Sequence, residues 1–175
     1  MQRLSSSNVS VVIPTVNSRR LFLEYAISSV FSQNCEVKEV IIVNNGQGDL
    51  DIAGIYLEKI KVFQIPCGAG VAQARNFGAS IAGGEIVCFL DDDDYWTETY
   101  VCEVVKCFNA TCCDVVVSRL DSDFGGEVGP YKSADQESFR IDKLLLANPG
   151  ITGSSTSVRL TSFLVSGGYD FSLPP

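Results

Sequence analysis

The sequence predicts an α/β protein built on a mostly parallel sheet flanked by helices, and three observations carry that reading. Five short segments, Val9–Pro14, Glu39–Val43, Lys61–Ile65, Ile86–Leu90 and Val115–Ser118, are rich in Val and Ile and bounded by turn residues, so each reads as a strand. They are apolar nearly throughout rather than at every second residue, which marks strands covered on both faces. Helical patterns lie between most of them, and strands alternating with helices define the class.

The first helix is set by Leu23, Ala26, Ile27, Val30 and Phe31, which follow i, i+3, i+4, i+7, i+8 spacing. Val101, Val104, Val105 and Phe108 repeat the pattern, with Thr97 as its expected cap and Glu98 in the first turn. Gly70–Glu85 reads as a helix leading into the fourth strand, and Gly78 inside it predicts close packing, because glycine costs about 1 kcal/mol there relative to alanine. Near the end, Ser133 and Gln136 form a capping-box pattern that opens a helix to about Ala147, closed by Asn148-Pro149-Gly150. No repeat or linker divides residues 1–175, so one domain is expected.

Composition limits the chemistry. The chain is 46% hydrophobic and 19% charged, enough for one globular core. Its net charge is −8 with the 13 basic residues dispersed, so no nucleic-acid footprint is present. No histidine occurs, which removes Ser-His-Asp and Cys-His nucleophiles and an ordinary zinc site. The seven cysteines lack a CxxC pair and mostly sit in apolar runs, which predicts reduced core thiols and a cytoplasmic protein. Without a signal-peptide core or a membrane-length apolar run, no transmembrane segment is expected; peripheral attachment at the inner face of the membrane stays open.

In sheets of this class ligands gather beyond the carboxyl ends of the strands. Those ends carry Pro14-Thr15-Val16-Asn17, Asn44-Asn45-Gly46, Pro66-Cys67-Gly68 and Asp91–Asp94. The four aspartates are the most informative, since two carboxylates about 4 Å apart repel by roughly 4 kcal/mol at an effective dielectric near 20 and need a counter-charge or water. The plain alternative is an exposed acidic loop, but Tyr95-Trp96 and the apolar strand before the run tie it to the core. If the run stays extended, Asp91 and Asp93 point the same way, roughly 6.6 Å apart, and an Asp-x-Asp pair offers hard ligands for Mg²⁺ or Mn²⁺. An EF-hand is excluded, because Trp96 and Cys102 stand where Gly and Glu would be required. Arg75 reads either as a solvated side chain or as a guanidinium that forks onto phosphate.

Taken in order, Pro14-Thr15-x-Asn17, Ile41–Gly46, Ala74-Arg75-Asn76-x-Gly78, Gly84–Trp96 and Gly167-Gly168-Tyr169-Asp170 resemble the family 2 glycosyltransferases, from about Val9 to the last residue. The resemblance implies a Rossmann-like GT-A fold and a nucleotide-sugar-binding domain. It further implies a metal-dependent, inverting transfer from a nucleotide-diphosphate sugar, UDP-sugar favoured, to the hydroxyl of a saccharide or lipid-linked saccharide acceptor. Bacterial polysaccharide biosynthesis is the family's habit. Thr15 and Asn17 would line the base and Asn45 would bond it; Arg75 would approach the diphosphate, Asp91 and Asp92 the ribose and sugar, and Asp93 the metal of a DXD motif. Asn45 stands where the family has an acidic residue and brings a donor as well as an acceptor. Val16 replaces an aromatic residue.

The family's catalytic base lies shortly after the Gly-Gly-aromatic-Asp segment, beyond Pro175, so the catalytic residue is not assigned and Asp170 is expected to hold a turn instead. The 175 residues therefore read as a donor half, expected to bind Mn²⁺ and nucleotide but to transfer sugar poorly. Two alternatives remain: a non-catalytic nucleotide-sugar-binding remnant, and a metal-dependent nucleotidyltransferase, which would want a Gly-rich loop after strand one.

Overall fold

A computed structural model describes residues 4–16, 20–50, 52, 58–124, 127–131, 140–144 and 148–172. Strands β1 (Val9–Thr15), β2 (Glu39–Asn44), β3 (Ile60–Gln64) and β4 (Ile86–Phe89) fall where predicted, as does β5 (Val115–Val117). They share a six-stranded sheet with an unpredicted strand, β8 (Thr156–Arg159), in the order β3-β2-β1-β4-β8-β5. Strands β3 to β4 in that order are parallel neighbours, and β8 runs antiparallel to both β4 and β5. A separate hairpin, β6 (Asp121–Phe124) with β7 (Glu127–Pro130), stands apart.

The strand order places the site. The chain steps outward from β1 to β2 and β3, then returns to lay β4 on the other side of β1. Loops leaving adjacent strands in opposite directions open a crevice between them. The crevice here is bordered by the loops after β1 and β4, which carry Thr15 and the aspartates.

Helix α1 (Arg20–Phe31) and helix α3 (Tyr100–Ala110) cover one face, packing Leu23, Ala26, Ile27, Val104 and Phe108 against Val9, Val11, Ile13, Ile86, Cys88 and Leu90. Helix α2 (Val71–Ser80) lies over the other face, where Val12, Ile41, Val43, Val87 and Phe89 point, joined there by residues of α5 (Leu160–Val165). Gly78 is the close contact expected: a Cβ there would run into the side chain of Val12.

The edges depart from the prediction. Strands β3 and β5 are partly exposed along their length rather than buried, because each has a neighbour on one side only. Helix α3 starts at Tyr100 with Thr99, not Thr97, at its cap position, and Thr99 makes no side-chain cap bond. Capping comes instead from the end of α1, where Gln33 Oε1 accepts the Val101 N–H at 2.9 Å and Gln33 Nε2 donates to the Thr97 carbonyl at 2.7 Å. Helix α4 (Ile141–Leu144) falls within the predicted late helix, and the Ser133–Gln136 capping box lies outside the described residues.

The cysteines are the largest correction. Only Cys88 is a buried thiol, its pKa pushed up to about 12 by burial, while Cys67, Cys107 and Cys112 are exposed and Cys113 is half-buried. Cys35 and Cys102 are joined as a disulfide with Cα atoms 6.4 Å apart. The apolar stripe of α3 is made by Val101, Val104, Val105 and Phe108, so Cys102 and Cys107 fall off it.

At the end of the sheet opposite the crevice, Glu39 is 4% exposed and accepts hydrogen bonds from Ser10 Oγ at 2.8 Å, Gly83 N at 2.7 Å and Lys61 Nζ at 2.7 Å. Burial pushes its carboxyl up, but the Lys61 pair and the Gly83 and Ser10 bonds outweigh it and hold the pKa below its ordinary value. A carboxylate depressed on folding stabilises above its unfolded pKa and loses that contribution as pH falls through the folded one. The thermal midpoint of the wild type is therefore expected to drop between about pH 5 and pH 3, and Glu39→Gln to flatten part of that drop while costing about 1–2 kcal/mol at pH 7. Circular dichroism melts across pH check both; identical profiles for the two proteins would contradict the assignment.

Candidate active site

The aspartate run is a turn rather than an extension of β4. The strand ends at Phe89, and Asp94 N donates to the Asp91 carbonyl at 3.2 Å. The turn sends its carboxylates in different directions. Asp92 is 5% exposed and accepts the Thr15 hydroxyl at 2.6 Å, drawing the loop after β4 onto the end of β1. Asp91 pairs with Arg75, Nη2 to Oδ1 at 2.5 Å. Asp94 Oδ2 accepts the Ser154 hydroxyl at 2.5 Å, and the same hydroxyl oxygen receives the Asp91 N–H at 3.0 Å. Burial pushes the Asp94 carboxyl above its usual range; the Ser154 bond opposes this, and the charges of Asp91, Asp93 and Asp92 add to it.

Two hollows flank the turn. A recess of about 190 Å³ is lined by Pro14, Thr15, Val16, Asn45, Val71 and Asp92. A larger cleft of about 520 Å³ has Asp91, Asp93 and Asp94 on one side and Asp121 and Asp123, from the β6–β7 hairpin, on the other. Aromatic side chains floor the cleft: Trp96 stacks on Tyr100 with ring centres 4.2 Å apart, and Trp96 Nε1 donates to the Ser154 carbonyl at 2.9 Å. Tyr95 ties the turn to the hairpin by donating to Asp123 Oδ2 at 2.9 Å. Arg119 is the cleft's cation among the described residues, and it pairs with Asp121 at 2.9 Å.

Of the residues singled out in the sequence, Thr15, Asn45 and Asp92 meet in the recess, Asp91 and Asp93 face the cleft, and Asn17 lies outside the described residues. Asp91 and Asp93 thus share one cavity, as period-two alternation implied, although a turn produces it. Arg75 is neither a solvated surface residue nor open on every side: its side chain is 12% exposed and engages Asp91. Asn45 Oδ1 accepts the Gly70 N–H at 3.4 Å, turning the amide oxygen toward the start of α2. Asp170 holds a turn, accepting Ser172 N at 2.9 Å and Ser172 Oγ at 2.6 Å, and these bonds keep its pKa below the ordinary value.

Several contributors escaped the sequence reading. Ser154 clamps the turn twice, Gly153 leaves room for the Arg75–Asp91 pair, and the hairpin supplies the far wall. The signal available was the run Thr152-Gly153-Ser154-Ser155, small and polar where an apolar strand would be recognised.

An α/β sheet with an acidic turn at its switch point, set between a small recess and an aromatic-floored cleft, has the architecture of a GT-A type fold. The family model described as Glycosyl transferase family 2 matches residues 10–165, and the chain belongs to that family. An uncharacterized glycosyltransferase of Nostoc sp. is 35% identical over 143 residues, 78% of this chain and 42% of that protein. Glycosyltransferase GlyG of Streptococcus pneumoniae is 27% identical over 119 residues, 65% of this chain and 39% of its own length. The chain thus spans less than half the length of these curated relatives. Among solved structures, S. aureus TarS in complex with UDP superposes with a TM-score of 0.73 at 20% identity, over 94% of this chain and 51% of that one. The UDP-GlcNAc complex of the same protein gives 0.67 at 19%, over 91% and 47%. At such identities the fold is what is shared.

Proposed function

We propose that the chain is the donor-binding domain of a metal-dependent, inverting glycosyltransferase that takes a UDP-sugar and transfers to an acceptor hydroxyl. The observation that carries this is the division of labour around the aspartate turn: Asp92 belongs to the recess, Asp91 and Asp93 to the cleft. A nucleoside in the recess would meet Asn45 with its base and Asp92 with its ribose, and its diphosphate would cross the turn toward Asp93 and Arg75. Sugar and acceptor would then share the cleft, against Trp96 and Tyr100. With its oxygen turned to Gly70, the Asn45 amide presents its nitrogen as donor, which suits a pyrimidine carbonyl. The TarS structures with UDP and UDP-GlcNAc share this fold and support the reading.

The donor set fits Mn²⁺ or Mg²⁺. No three His, Cys, Asp or Glu groups among the described residues form an ion cage. With nucleotide substrates, however, these ions take one or two carboxylates and complete their shell with phosphate oxygens and water. Asp93 would hold such an ion, which when bound neutralises charge on the departing diphosphate. The chain's own part is to fix the donor, with Thr15 holding Asp92 in the recess and Arg75 holding Asp91 at the cleft mouth. In an inverting step the acceptor oxygen bonds to the anomeric carbon as the bond to the diphosphate breaks, and the hydroxyl proton passes to a base. Asp170 holds its own turn through Oδ1 and is assigned no part in that proton transfer. The acceptor is proposed to be a saccharide or lipid-linked saccharide of bacterial polysaccharide synthesis. No helix of the described residues is long and apolar enough to cross a membrane.

Calorimetric titration of UDP, GDP and dTDP, each with and without Mn²⁺, tests the reading. UDP is expected to bind tightest and only with metal; equal affinity for all three, or metal-independent binding, would overturn it.

A further inference from the structure

Four segments distant in sequence meet at the Arg75 guanidinium. Nη2 reaches Asp91 Oδ1, with the two side chains 12% and 24% exposed. The guanidinium carbon stands 5.3 Å from the centre of the Tyr169 ring. On a third side comes Gly153, where a Cβ would collide with Arg75 Nη2 and lie 2.8 Å from Asp91 Oδ1. Nε is buried with no hydrogen-bond partner among the described residues. A guanidinium that, among the described residues, gives one bond to Asp91 and leaves a buried donor unused is held by the shape around it, and the Tyr169 ring is part of that shape.

Tyr169 is itself held from several directions. Gly167 and Gly168, with φ of 88° and 74°, turn the chain back at the end of α5 through bonds from their N–H groups to the Leu164 and Phe163 carbonyls. Only residues without a Cβ penalty adopt such angles readily. The turn delivers the Tyr169 backbone to Asn76: the Tyr169 N–H donates to Asn76 Oδ1 at 2.8 Å, and Asn76 Nδ2 donates to the Tyr169 carbonyl at 2.8 Å. A Cβ on Gly168 would press on Asn76 Oδ1 at 2.5 Å. The ring packs edge-on against Phe89 at 5.4 Å and Phe163 at 5.6 Å. Asn76 and Arg75 are consecutive on α2, so the helix that carries the arginine also anchors the loop whose ring confines it.

We infer that Tyr169, clamped by Asn76, is a positioning residue for the donor site: its ring face fixes Arg75, which in turn aims Asp91 into the cleft. The inference rests on the nucleotide-sugar reading for its purpose, though not for its geometry. Tyr169 acts through Arg75 and is assigned no contact with the reacting atoms. Its hydroxyl is dispensable to this role and its ring is not.

The test compares Tyr169→Phe with Tyr169→Leu in the full chain. Nitrogen-15 correlated NMR follows the Arg75 Hε signal, which sits under the ring current of Tyr169. The Phe variant is expected to keep the wild-type shift and the Leu variant to lose it. UDP titrations with Mn²⁺ are expected to show an affinity loss of roughly five- to tenfold for Leu and rescue by Phe, with no further loss when Tyr169→Leu is added to Arg75→Gln. An Arg75 signal unmoved in the Leu variant, or an equal loss in the Arg75→Gln background, would overturn the inference. If Tyr169→Leu does not fold, Asn76→Ala, which releases the loop and keeps the ring, takes its place with the same expected shift loss. If the wild type fails to bind UDP, the donor reading falls and the NMR comparison still decides the positioning.

Discussion

Asp93→Ala is expected to weaken Mn²⁺-dependent UDP binding by about a hundredfold while moving the thermal midpoint by no more than about 2 °C. The turn is closed by the backbone bond from Asp94 to Asp91 and clamped by Ser154 and Thr15, none of which uses the Asp93 side chain. Asp93 is exposed, and exposed substitutions usually cost under about 0.5 kcal/mol. The functional loss follows from charge. Among the described residues five aspartates line the cleft against one arginine, itself paired with Asp121, so a diphosphate arriving there without a cation would meet repulsion. A divalent ion reverses the sign of that encounter, and removing the carboxylate that would hold it removes the reversal. The same substitution relieves repulsion, so metal-free UDP should bind the variant no more weakly than the wild type. Paired titrations with Mn²⁺ and with chelator check both halves, and an unchanged affinity in Mn²⁺ would remove Asp93 from the ion's ligand set.

Phe89→Ala is expected to be the costliest single change to the fold. Phe89 is fully buried in β4, with Phe163 and Tyr169 both 5.4 Å from its ring centre. Truncating such a side chain costs about 3–5 kcal/mol in lost burial and residual cavity. For a chain of this size that lowers the melting temperature by about 10 °C. The change also takes away a wall on which the Tyr169 ring leans, so the Arg75 Hε signal should broaden or shift in whatever fraction stays folded. Thermal unfolding followed by circular dichroism reads the first effect; a midpoint within about 3 °C of wild type would show that β4 is not where the sheet is anchored.

These two residues show what could be read directly. β1, β2 and β4 were legible because their side chains are apolar on both faces, and a sheet interior demands that. Strand β8 was not, because Thr156, Ser157 and Arg159 surround a single apolar Val158. Ser157 is nonetheless fully buried, its hydroxyl donating to the Cys88 sulfur at 3.1 Å. Small polar residues enter a core when a neighbouring strand supplies partners, and no one-dimensional pattern announces that. In the site, Thr15, Asn45, Arg75 and the aspartates could be picked out one by one. That Thr15 serves Asp92, or that Arg75 serves Asp91, depends on β4 lying beside β1 and on β8 lying beside β4. The cysteines misled for a related reason: an apolar neighbourhood in sequence is not one in space once a helix turns to the core only residues three and four apart.

The late insertion of β8 between β4 and β5 also fixes an order of events during synthesis. β1, β2 and β4, and with them Thr15 and Asp92 of the recess, lie within residues 9–92. Ser154, Gly153 and Tyr169 emerge from the ribosome later, and domains consolidate as their parts become available. A nascent chain therefore has the residues of the Thr15–Asp92 recess in hand before Ser154 and Tyr169 arrive to hold the neighbouring aspartates and arginine. The clamps on Asp91, Asp94 and Arg75 are complete only when β8 and the residues around it have packed beside β4.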